Sequence, residues 1–140
     1  MISELFDMFN RTHTGNLDED RKDFKILIKI MLTAFGSDMY AYMLMLEKAD
    51  RKLEHSMIKD HREKIFAIRD FYDNGSFTEK QIVEDLTPIL DKIKVQVEML
   101  RTIEGRQWEA GLFQSLTNDM CNFLFYMKNM DSFKIPKRVN

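Results

Sequence analysis

The chain has 140 residues, 44% of them hydrophobic and 31% charged, with a formal net charge of −2. That length suits one domain, the apolar fraction excludes a chain disordered by composition, and the slightly acidic balance excludes bulk attraction to nucleic acid or anionic membrane. With 2 Pro, 5 Gly and 1 Cys, turns are few, an internal disulfide is impossible, and long helices are favoured over many short strands.

The first segment, Ser3 to Phe9, sets Leu5, Phe6 and Phe9 on one face of a short helix, and a polar, turn-like stretch follows from Asn10 to Gly15. Asn16 is an N-cap candidate, with Glu19 three residues on to complete a capping box. Asp18, Glu19 and Asp20 crowd a first turn where the helix dipole favours negative charge. The spacing predicts a helix to Phe35, with Phe24, Ile28, Met31 and Phe35 on one face, Leu27 beside them, and Ile26, Ile30 and Leu32 widening the apolar surface. So apolar a helix is expected in the core, with Gly36 as its C-terminal stop and Ser37 as the cap of the next.

That next helix is expected to reach about Tyr72, with a break near Asp50 or near Lys59–Arg62. Met39, Met43 and Leu46 share a face of its first half; Leu53, Met57, Ile65, Ile68 and Tyr72 form a thin stripe on its charged second half. Asn74-Gly75 ends it. Ser76 and Glu79 match a second capping box, followed by Ile82, Leu86, Ile89, Ile93, Val97 and Leu100 in one helical phase. The phase persists across Pro88, which marks a kink or a restart, and Gly105 ends or bends the element. The last helix is predicted from Gln107 to Met130, with Phe113, Leu116, Met120, Leu124 and Met127 in its stripe. The expected fold is therefore all-α: a single-domain bundle of four main helices plus a short N-terminal one over residues 1–130, then a short basic tail at 131–140.

Candidate chemistry is thin. Asn10 to Arg21 resembles a calcium loop in spacing, with Gly15 and Leu17 in place, but Arg21 stands where the bidentate Glu belongs. Asp70 to Phe77 fails in the same way. No Glu stands three residues before His13, His55 or His61, as carboxylate metal sites in bundles require, and one Cys excludes the usual zinc sites. His55, between Arg51 and Lys59, reads as solvated, and His61, between Met57 and Ile65, as a core-edge histidine. Asp60-His61-Arg62-Glu63 reads as a charged helix face rather than a ribonuclease pair, and Ser115 and Cys121 show no nucleophile spacing. No phosphate-binding glycine loop is present. No cofactor or metal is expected.

The N-terminal stretch MISELFDMFN lacks the basic start and apolar run of a signal peptide, and no apolar run reaches about 18 residues. A cytoplasmic location, of the cell or of a host, is the expectation. A Met-, Phe-, Lys- and Asn-rich chain suits a small phage gene or an AT-rich bacterial one. Tyr40, Tyr42, Met43, Leu44, Met45 and Leu46 surround one turn with apolar side chains, which is more than one neighbour can cover. Tyr40, Leu44 and Met45 are therefore interface candidates, joined by Trp108, whose residue type is common among interface anchors. The expected function is a small non-enzymatic interaction or regulatory module that binds a protein partner or itself. The alternative is an accessory nucleic-acid-binding factor using the basic residues between Arg51 and Arg69 and the tail. A third reading is a helical enzyme whose site only the fold assembles.

Overall fold

The computed structural model describes residues 2–11 and 16–129. It is an all-α bundle of five helices among those residues: α1 (Ile2–Arg11), α2 (Leu17–Lys48), α3 (Lys52–Asp73), α4 (Glu79–Arg101) and α5 (Gln107–Lys128). The tail at 131–140, His13 and part of the calcium look-alike lie outside the described residues.

The N-cap of α2 is Asn16, whose Oδ1 accepts from the backbone N–H groups of Asp18 and Glu19 at 3.1 Å each. Gly36 is not a stop, and Ser37 is not a cap. The helix runs through both for 32 residues, about 48 Å at 1.5 Å per residue. Gly36 is required by proximity rather than by φ: a Cβ there would meet the ring of Phe66 on α3, and Arg62 Nε donates to the Gly36 carbonyl at 3.0 Å. The chain turns instead at Ala49–Arg51. Arg51 N–H reaches back to Leu46 O and Asp50 N–H to Glu47 O, with Asp50 at φ 56°. This is a Schellman ending in which aspartate tolerates the left-handed conformation usually given to glycine. The break therefore falls at Asp50, and α3 continues unbroken past Lys59–Arg62 to Asn74-Gly75, where Gly75 takes φ 85°.

The capping box of α4 is two residues later than the Ser76–Glu79 pair. Thr78 caps it: the Gln81 N–H donates to Thr78 Oγ1 and the Thr78 N–H donates to Gln81 Oε1 at 2.8 Å. Glu79 is left to face Arg21 of α2 at 2.5 Å. No restart occurs at Pro88, since α4 carries through it; the exposed proline gives up one backbone bond on the solvent side. Gly105, at φ 83°, lies in the turn before α5.

Tyr42, near the end of α2, stacks on Phe113 near the start of α5. At the other end Phe6 touches both Phe24 of α2 and Phe123 of α5. The two helices are thus antiparallel, and α2 to α5 alternate up and down with α1 laid across one end. The expected core residues Phe24, Ile28, Met31, Leu116, Met120 and Leu124 are all buried, as is the Ile82 to Leu100 series. Aromatic rings join the layers: Phe6 stacks on Tyr126 at 4.7 Å, and Phe35 meets Phe123 edge-on at 5.5 Å. On α2, however, Ile26 and Ile30 are exposed, so the buried surface of that helix is narrower than its composition suggests.

Candidate functional site

Helix α3 binds α2 closely along its length. The Phe66 ring sits over Gly36 between the guanidinium groups of Arg62 and Arg69, at 4.6 and 4.5 Å. Helix α5 is bound as closely to α4. The α3–α4 boundary is looser than either of these, because the first half of α3 carries few apolar residues to offer its neighbour. Leu53 and Met57, one turn apart, face α4 without being covered by it, and Leu53 is 73% exposed.

Opposite them α4 carries a second apolar row beside its core stripe. Val95 and Met99 lie on the helix and Ile103 in the turn just past its end; the three are spaced four residues apart and are all exposed. Between the rows lies a groove of about 260 Å³, floored by the buried Leu46, Leu100 and Phe113. Glu54 and Lys92 stand on its walls. Behind Glu54, Arg106 is buried, donates to Glu109 at 2.5 Å, and places Nη1 4.0 Å from Glu54. At the other end of the α3–α4 boundary a smaller hollow is lined by Ile68, Phe71, Phe77 and Ile89.

Polar groups are stranded along this boundary. Gln96 is 9% exposed and its Oε1 meets no donor in the protein; its Nε2 faces only the Met57 sulfur, at 3.6 Å. His61 is buried with neither ring nitrogen hydrogen-bonded. Burial, then Lys64 and Lys92, hold its pKa below the usual histidine value, with Asp60 opposing. The unfolded chain therefore takes up this proton first as pH falls below about 6.5, and stability must decline with acidification through that range. The urea midpoint of the wild type should fall between about pH 7 and pH 5 relative to that of His61→Leu. Parallel midpoints across that range would rule the effect out.

The other titratable cluster lies between α2 and α5. Burial, then Asp38 and Asp119, push the Tyr42 phenol up to about 12, and burial with Asp119 raises Asp38. Tyr42 donates to the Leu112 carbonyl, so it stays protonated and serves packing. Among the described residues no three His, Cys, Asp or Glu side chains stand close enough to hold a metal, and Cys121 is half-buried. Arg21 of the calcium look-alike is paired with Glu79.

The four interface candidates are not brought together. Tyr40 and Leu44 are half-exposed on the outside of α2, where the Arg62 guanidinium covers the Tyr40 ring at 5.1 Å. Met45 is partly buried against the core. Trp108, 68% exposed, stands on the first turn of α5. Met39, Tyr42, Met43 and Leu46 are buried, with α5 covering Tyr42. None of the four candidates lines the α3–α4 groove. Sequence reasoning passed over Val95, Met99 and Ile103, although their four-residue spacing beside an already complete core stripe was a readable sign of a second face.

Comparison with known protein families, curated proteins and solved structures finds no match for this chain. No helix among the described residues is long and apolar enough to cross a membrane.

Proposed function

We propose that this protein is a small non-enzymatic interaction module that regulates a partner protein by docking one of its amphipathic helices in the α3–α4 groove. The observation that carries this reading is the pair of facing apolar rows, Leu53 and Met57 against Val95, Met99 and Ile103. Two parallel rows with four-residue spacing match the anchors of a third helix laid between them. Flexible Met57 and Met99 suit an adaptable surface. The charged residues that line the groove are one of each sign, Glu54 and Lys92. Nucleic acid is favoured less, because Arg62 and Arg69 are committed to Phe66 and acidic residues interleave with the other basic residues.

A display library of amphipathic helices about 20 residues long, some 30 Å, tests the reading. Leu53→Glu/Met99→Glu should weaken the enriched helices at least about tenfold by setting charge in an apolar contact. Tyr40→Glu/Leu44→Glu should leave their binding unchanged. Binding that survives the groove variant, or is lost only in the α2 variant, moves the interface to the outer face of α2. Salt-dependent binding to nucleic acid without enrichment of any helix would favour the accessory-factor alternative instead.

A further inference from the structure

Helix α2 carries a stripe that its own bundle leaves uncovered. Ile26, Ile30, Thr33, Ser37, Tyr40 and Leu44 are all exposed, and they follow one another at alternate spacings of four and three residues. That is the spacing of a helix that packs lengthwise on another helix. The stripe is about 27 Å long at 1.5 Å per residue. None of its six residues is charged, in a chain that is 31% charged. Ala34 and Ala41, also exposed, border it with small side chains. Along the other border runs α3, where Arg62 lies over Tyr40 at 5.1 Å and Arg69 reaches Thr33 Oγ1 at 3.3 Å.

The two ends of the stripe differ in shape. Ile26 and Ile30, with Leu5 and Met8 of α1, line a shallow hollow of about 300 Å³ that Asp23 also lines. At the far end Tyr40 and Leu44 stand half-exposed, and the middle positions, Thr33 and Ser37, are small. A two-fold axis that crosses the stripe at the level of Phe35 exchanges these ends. It sets Leu44 of one copy on Ile26 of the other, Tyr40 on Ile30, and Thr33 on Ser37, since each pair is centred on position 35. We infer that two copies of this chain pair antiparallel through the outer face of α2, each seating Tyr40 and Leu44 against the hollow of the other. One helix carries both the projecting and the receiving half of the contact, equally far from its middle. Such a surface complements itself, and a two-fold contact closes without leaving either half open. The antiparallel arrangement also opposes the two helix dipoles. Ile26, Ile30, Tyr40 and Leu44 make a small interface, at the low end for specific contacts, so the pair is weak, with a Kd on the order of micromolar. The α3–α4 groove takes no part and stays accessible in both copies.

Sedimentation velocity between about 5 and 500 μM should show monomer passing into dimer. Ile30→Glu/Tyr40→Glu should raise the dimer Kd at least about tenfold by setting charge in the contact. Leu53→Glu/Met99→Glu should dimerise as wild type does. A wild type that stays monomeric throughout overturns the inference, as does a dimer that tolerates the first pair or is lost with the second. Disulfide capture in a Cys121→Ser background reads the direction. An equal mixture of Ile26→Cys and Leu44→Cys chains should oxidise to the mixed dimer, with neither chain linking readily to itself. Self-linked dimers in preference to the mixed one would mean a parallel pair and overturn the two-fold. Circular dichroism checks that the variants keep wild-type helicity. Should Ile30→Glu/Tyr40→Glu lose it, Ser37→Arg, near the centre of the contact, takes its place with the same expected loss of dimer.

Discussion

Replacing Phe123 with alanine should lower the unfolding free energy by about 3–5 kcal/mol, the range for a large buried aromatic truncated to alanine. Phe123 is fully buried and touches Phe6 of α1 edge-tilted at 6.4 Å and Phe35 of α2 at 5.5 Å. Its removal therefore empties the point where α1, α2 and α5 meet, and no single helix can collapse to refill it. Phe125, two residues on, is 60% exposed, so Phe125→Ala should stay within about 0.5 kcal/mol. Urea melts of the two variants give the comparison. Equal losses would mean that α5 presents a different face to the bundle.

Gly36→Ala should also destabilise, by about 1–2 kcal/mol, although alanine is the better helix former by about 1 kcal/mol. The added methyl would fall on the Phe66 ring, which cannot swing aside without losing its contacts with Arg62 and Arg69. In a Phe66→Ala background the obstacle is gone, and the same Gly36→Ala substitution should then stabilise by roughly 0.5–1 kcal/mol. A stabilising effect in the wild type would refute the close approach of α2 and α3.

That glycine also explains where sequence reasoning stopped. The apolar phases from Ile82 to Leu100 and from Phe113 to Met127 were legible because each encodes its own buried face at a period of 3.6. Gly36 was read as a terminator because a glycine's commonest special role is a positive φ. Its actual role depends on a ring 30 residues away in sequence, which no local pattern contains. Asp50 ends α2 with a weaker signal than glycine would give. Ser76 and Thr78 both satisfy the capping-box spacing, and the choice between them falls to contacts outside the motif: Phe71 stacks on Phe77 at 5.1 Å and Arg21 pairs with Glu79. The groove was half legible. Leu53 and Met57 were visible as a thin stripe, but that α4 would face them without closing on them is a property of three helices at once.

The loose α3–α4 boundary has a thermodynamic corollary. The bundle is in effect two helical hairpins, α2–α3 and α4–α5, and a ligand seated between α3 and α4 contacts both. Such a ligand binds only the assembled form, so occupancy and folding are linked: at a hundredfold excess over its Kd it adds about 2.7 kcal/mol to stability. The free chain, with Gln96 and His61 unpartnered at the join, is then the form more open to proteolysis. On the proposed docking reading, its lifetime in a cell would track the supply of the docked helix, so that stoichiometry would be kept by turnover as well as by synthesis.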